Sequence, residues 1–121
     1  MDKLEEIFEF QKELQERLDV PKRISDDSMK QQYINQMALA IYEETTEALR
    51  CTCYKDPKYS TFGWKKDQDF HNEKFKEEIV DIMHFVVNLA LVAGMTSTDL
   101  HDKYLEKNKE NHRRIDNGQR Y

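Results

Sequence analysis

Glycine occurs three times and proline twice in 121 residues, which leaves few of the punctuation points that strand-and-turn architectures need. Cysteine is as scarce. Cys51 and Cys53 are the two present, and at that spacing on a helix they point in different directions, so neither a disulfide nor a zinc site is implied. They read as reduced thiols of a cytoplasmic protein. No uninterrupted apolar run is as long as a membrane span requires, and the acidic start MDKLEEIFEF lacks the apolar segment and cleavage site of an export signal. A surplus of positive charge is also missing: the net charge of −5 argues against a broad nucleic-acid-binding face, which needs Lys and Arg to neutralise phosphates.

What the chain has is charge of both signs, at 36% of positions, and apolar residues at helical spacing. An all-α protein is expected. The length fits one domain over residues 1–121, near the lower end of comfortable single-domain sizes, so a second chain is expected to complete its core. Leu4, Ile7, Phe8, Leu14 and Leu18 mark one face of a first helix that Pro21 closes. Ser25, Asp26 and Asp27 are starters for a second helix, with Ile34, Met37, Ala38, Ile41, Ala48 and Leu49 as its stripe, running to about Cys53. Tyr54 to Asp69 has no sustained period and carries Tyr59, Phe62 and Trp64. A loop of that length with clustered aromatics suits a lid or binding segment. The third long helix follows, with Phe75, Ile79, Ile82, Val86, Leu89 and Ala93 on one line and Gly94 near its end. Thr96, Ser97 and Thr98 start the last helix. The expected fold is an antiparallel, four-helix bundle-like domain, completed by oligomerisation as a homodimer or homotetramer.

Some acids stand where apolar residues belong. In YEETTEAL, Glu44 falls on the line Met37, Ile41, Glu44, Ala48, and Glu47 lies one turn on. In KEEIVD, Glu78 falls on the line Phe75, Glu78, Ile82, Phe85, Leu89, and Asp81 begins a polar stripe with His84 and Asn88. Unpartnered carboxylates inside a helical domain cost several kcal/mol. A hard divalent ion, Mg²⁺ or Mn²⁺, meets that cost with oxygen ligands; pairing with Lys or Arg at the boundary is the plainer alternative. His84 suits a hydrogen bond to substrate or to a ligating group better than direct ligation.

On the last helix Lys103, Lys107, Asn111 and Arg114 recur at intervals that form a basic and amide stripe. It suits phosphate oxygens, or it is an ordinary solvated face paired with Asp102, Glu106 and Glu110. Carboxylates, a basic stripe and an aromatic loop together are the parts that a nucleoside triphosphate requires.

EETTE followed by EEIVD resembles the E-x-x-E and E-x-x-D signature of the all-α nucleotide pyrophosphatases, the MazG-like superfamily. The resemblance implies magnesium held by Glu44, Glu47, Glu78 and Asp81. DIMHF and the tail YLEKNKENHRRIDNG look like the dimeric dUTPase branch, with D-x-x-H-F at Asp81, His84 and Phe85 and Y-x-x-K-N-x-x-N-x-x-R at Tyr104, Lys107, Asn108, Asn111 and Arg114. FEFQKEL is similar to the segment in which a glutamine reads uracil, which implies that role for Gln11. Leu14 stands where that branch often has a further amide. Trp64 resembles the loop tryptophan ahead of the second acidic motif. The implied reaction is hydrolysis of dUTP to dUMP and pyrophosphate, with Glu44 also orienting or deprotonating water. A broader pyrophosphatase acting on dCTP or modified nucleotides, or a non-catalytic interaction module, is the alternative.

Overall fold

The computed structural model describes residues 1–120, which form five helices: α1 Lys3–Arg17, α2 Val20–Arg23, α3 Asp27–Arg50, α4 Asn72–Val92 and α5 Ser97–Asp116. The starts are written in the sequence. Asp2 and Asp26 each accept a hydrogen bond from the backbone three residues on, at 2.8 Å in both cases, satisfying an amide that the helix leaves without a partner. At α5 the Thr96 hydroxyl accepts from the Asp99 amide and the Asp99 carboxylate accepts from the Thr96 amide, a reciprocal cap. α1 stops at Arg17, and Asp19 then takes a left-handed conformation at φ 57°. Pro21 does not simply end the first helix: it sits in the opening turn of α2, where its missing N–H would have had no helical partner.

α3 and α4 form an antiparallel pair, joined at one end by the His71 amide donating to the Cys51 carbonyl at 2.8 Å and touching farther along where Asn88 meets Met37. Glu44 and Glu47 therefore face Glu78. Phe75, Ile82, Phe85 and Leu89 are at least partly buried on the line that includes Glu78. The other line read on this helix fares differently: Ile79, Val86 and Ala93 are exposed, because α1 covers the stripe through Met83, Val87 and Ala90 instead. The small core joins Phe8, Val87 and Ala90 to Leu4, Met83, Leu91, Met95 and Leu100.

The connection between α3 and α4 is irregular but tied down. Trp64 and Lys65 both donate their amides to the Lys55 carbonyl, and the Asp56 carboxylate accepts from the Lys58 and Gln68 amides. Gly63 is required by close approach, since a Cβ there would overlap the Pro57 backbone nitrogen and lie 2.6 Å from the Asp56 carbonyl carbon.

α5 departs from the expected bundle. It leaves α4 at 104° after Gly94, whose φ of 78° ends the helix, and it has no buried residue. Its first turns touch α1. No single described helix is long and apolar enough to cross a membrane. The accessible surface is 9591 Å² for 14.6 kDa, whereas a compact monomer of that mass exposes about 6,900 Å². Much of the excess is apolar: Ile7, Phe10 and Leu14 of α1, Leu18 just after it, and Ile79, Val80 and Val86 of α4 lie exposed.

Phe8 is the largest side chain of the small core and 5% exposed. Replacing it with Ala should lower unfolding free energy by about 3–5 kcal/mol. Glu9→Ala, one position along and exposed, should stay within about 0.5 kcal/mol. Denaturant titration of both variants checks this; equal effects would mean that Phe8 does not anchor α1.

Candidate active site

The pairing of α3 with α4 brings carboxylate oxygens of Glu44, Glu47 and Glu78 within 4.8 Å of one another. Glu78 is 2% exposed, and its Oε1 lies 3.3 Å from the ammonium of Lys74, one turn earlier. The Oε2 atoms of Glu44 and Glu78 are buried without a hydrogen-bond donor among the described residues. Like charges held this close require a proton or a cation between them. The proton settles on Glu44, whose pKa is pushed up to about 7 by its hydrogen bond with the Glu78 carboxyl, then by burial and by the charges of Glu47 and Asp81. The same bond holds Glu78 below the usual carboxylate range, helped by Lys74.

A divalent ion fits this donor set, since oxygen ligands suit Mg²⁺ or Mn²⁺ and two buried oxygens have unused lone pairs aimed at their neighbours. Asp81, the fourth acid of the sequence motif, is exposed and stands outside the group of three. It shares the lining of a cavity with Glu44.

That cavity, of about 440 Å³, runs from Glu44 and Asp81 between α1, α3 and α4 towards α2. Its walls include Gln11, Gln15, Tyr33, Met37, His84 and Asn88. Gln11 Nε2 donates to Asn88 Oδ1 at 2.7 Å, and His84 Nδ1 lies 2.8 Å from Gln11 Oε1. Tyr33 donates its hydroxyl to Gln15 Oε1 at 2.8 Å, and burial raises its pKa. Apolar walls with a few fixed polar groups are what small-molecule sites present.

Of the residues singled out from sequence, Gln11, Glu44, Asp81 and His84 meet at this cavity, with Glu47 and Glu78 beside it. Trp64 does not join them: it is 69% exposed and packs edge-on against Tyr54 within its own loop, ring centres 6.1 Å apart. Tyr104, Lys107 and Asn108 project from α5 into solvent, and Asn111 and Arg114 are half-buried farther along. Arg114 and Arg113 both bind Glu110, at 3.2 and 2.6 Å, whereas Lys103 and Lys107 form no ion pair among the described residues. None of this stripe lines the cavity. Gln15, Tyr33, Met37 and Lys74 went unnoticed as site residues in the sequence, although Gln15 follows Gln11 by one turn and Tyr33 precedes Met37 by one.

The shared proton has a testable consequence in metal-free protein. Glu44 keeps its proton in the folded state up to about 7 but loses it near the ordinary value of 4.5 when unfolded. Between those values the native state binds more protons, so this stabilisation is fully present below 4.5 and lost as pH rises through 7. Glu78 acts oppositely and only in acid, below its unfolded value. Melting temperature in EDTA should therefore fall from about pH 5 to about pH 8; Mg²⁺ should offset the fall, and Glu44→Gln should flatten it. A flat profile in the unmodified protein would show that no proton is shared.

A 45-residue stretch, 37% of this chain, is 44% identical to the dCTP pyrophosphatase of Enterobacteria phage T4. The match spans 26% of that relative's length. No solved structure gives a significant match. The family model described as dUTPase matches residues 3–96, which leaves α5 outside but takes in all four acids, Gln11 and His84. With its helices and acid cluster inside that match, the chain belongs to the all-α dUTPase family.

Proposed function

We propose that the protein is a divalent-metal-dependent nucleotide pyrophosphatase that hydrolyses dUTP to dUMP and pyrophosphate. The observation that carries this reading is the three-carboxylate group, two of its oxygens buried without donors, at the end of an amide-lined cavity. Glu44, Glu47, Glu78 and, from the rim, Asp81 would hold Mg²⁺ or Mn²⁺. When bound, the ion neutralises phosphate charge and makes water more acidic. Glu44 borders both the acids and the cavity, which supports a role in which its carboxylate takes the proton of the attacking water as the P–O bond between the α and β phosphorus atoms breaks and pyrophosphate leaves. Gln11, Asn88 and His84 form the polar surface offered to a base, and hydrogen-bonding groups buried at fixed positions discriminate strongly against an unmatched edge.

The second reading is a dCTP-preferring enzyme. The identity to a dCTP pyrophosphatase favours it, and uracil and cytosine differ at the edge that those amides face.

The assembly belongs to the same proposal. A homodimer or homotetramer accounts for a surface some 2,700 Å² larger than a compact monomer's, at the upper end of what an obligate interface hides on each partner. The groove of about 350 Å³ between Ile7, Phe10 and Leu14 of α1 and Val80 and Met83 of α4 is the face for a second copy. Lys107, Asn111 and Arg114 then act as phosphate ligands across the assembly, with Tyr104, Asn108 and Trp64 near sugar or base. The reaction belongs in the cytoplasm, where the free thiols of Cys51 and Cys53 stay reduced.

Pyrophosphate release from dUTP, dCTP, dTTP, dATP and dGTP, with Mg²⁺ and with EDTA, is the deciding assay. Metal-dependent release from dUTP alone is the expected result; release from dCTP selects the second reading, and release from none rejects both. Glu78→Gln should abolish turnover with the helical fold intact. For the assembly, Phe10→Glu should dissociate it by light scattering. Mixing inactive Glu78→Gln with inactive Arg114→Ala protein should restore activity, and no recovery would assign Arg114 to its own chain's site.

A further inference from the structure

Three polar groups form a line from the cavity wall into the α3–α4 contact: the exposed His84 and the buried Gln11 and Asn88, ending on the thioether of Met37. The separations are 2.8 Å from His84 Nδ1 to Gln11, 2.7 Å from Gln11 to Asn88 and 3.5 Å from Asn88 to Met37 Sδ. Each of the first three groups can turn either its donor or its acceptor towards its neighbour. Met37 cannot, because a thioether has lone pairs and no hydrogen to give.

We infer that Met37 sets the direction of this whole chain and thereby fixes His84 as its Nδ1–H tautomer, presenting an unprotonated Nε2 to the cavity. The logic runs outward from the sulfur. Asn88 must offer Met37 its NH₂, so its Oδ1 faces Gln11. Gln11 must then offer its own NH₂ to Asn88, so its Oε1 faces His84. His84 Nδ1 must therefore carry a hydrogen, and in the neutral ring Nε2 is left with a lone pair. Reversing the chain would turn Asn88 Oδ1 onto the sulfur. Both Asn88 and Gln11 are 5% exposed, so that oxygen would lose its donor where water does not readily replace it.

The consequence for binding rests on the pyrophosphatase reading. His84 lines the cavity and accepts there, so it selects a base that turns an N–H towards it, such as the imide of uracil or the amino group of cytosine. A base whose edge offers only a carbonyl oxygen or a ring lone pair at that point meets a second acceptor and is disfavoured. Met37 is thus a positioning residue: it acts on the base through Asn88, Gln11 and His84.

The test uses ¹⁵N spectra of the histidine rings at about pH 8, above the ordinary imidazole range, with His84 assigned from a His84→Asn variant. Free imidazole side chains in water favour Nε2–H, so an Nδ1–H signature at His84 is the expected and distinctive result; Nε2–H in the unmodified protein overturns the inference. Met37→Leu keeps the volume and removes the acceptor. It should give His84 a mixture of tautomers, and an unchanged single tautomer would remove Met37 from the role. These spectra need no nucleotide, so they judge the tautomer independently of the proposed activity. With the preferred nucleotide, Met37→Leu should raise KM several-fold and leave kcat nearly unchanged. An unaltered KM alongside mixed tautomers would refute the link to base reading.

Discussion

The contact between Glu44 and Glu78 is the constraint around which this fold is arranged. Two carboxyl groups on facing helices, each with an oxygen buried and undonated, are tolerated only while a proton or a cation lies between them. Burial makes the pairing of α3 and α4 depend on what occupies that gap. Lys74 relieves the charge of Glu78 from the solvent side; it does not reach Glu44. The residues that weaken the helix pair are the ones that equip it, and departures from apolar patterning commonly cluster at such sites.

The elements around this contact hold it in register. Hydrogen bonds from Trp64, Lys65 and His71 pin the irregular connection at both ends, so the start of α4 cannot slide along α3 without breaking them. Asp26 fixes the start of α3 and Gly94 the end of α4. A one-residue shift on either helix would turn a carboxylate by 100°, away from its partners. By contrast, α5 is fixed by its cap and by the first turns against α1, and the rest of its length meets solvent.

How much of this the sequence carried depends on range. Four of the five helices were legible, because caps such as Asp26 and Thr96 and the apolar period act within a few residues. α2 was not: four residues after a left-handed Asp19 have no period, and Pro21 reads as a stop whether it ends one helix or opens another. Glu78 was legible as a buried acid because it shares a line with Phe75, Ile82 and Phe85. Asp81, at the same helical spacing from Glu78 as Glu47 from Glu44, is exposed instead, at the rim of the cavity it shares with Glu44. The line Ile79, Val86, Ala93 misled for the complementary reason: hydrophobicity marks a face as fit for burial without naming what buries it. Gln15, Tyr33 and Met37 stayed hidden because their part in the site arises from contacts between helices, and a single sequence does not list those.

The interruptions in the apolar run of α4 then have one physical explanation. Val87 is fully buried and Asn88, its neighbour, nearly so, yet they serve different contacts. Val87 meets Phe8 in the core, while Asn88 is turned towards both Gln11 of α1 and Met37 of α3. A leucine at 88 would fill the same space and leave Gln11 with a buried, unanswered NH₂, so the amide is needed as soon as α1 brings its glutamine inward. One turn earlier the Gln11 carbonyl requires a donor in the same way, which His84 supplies; one turn before that, Asp81 reaches the open rim. The polar line thus grades from buried and hydrogen-bonded to exposed and charged, and the apolar residues on either side hold it against the cavity.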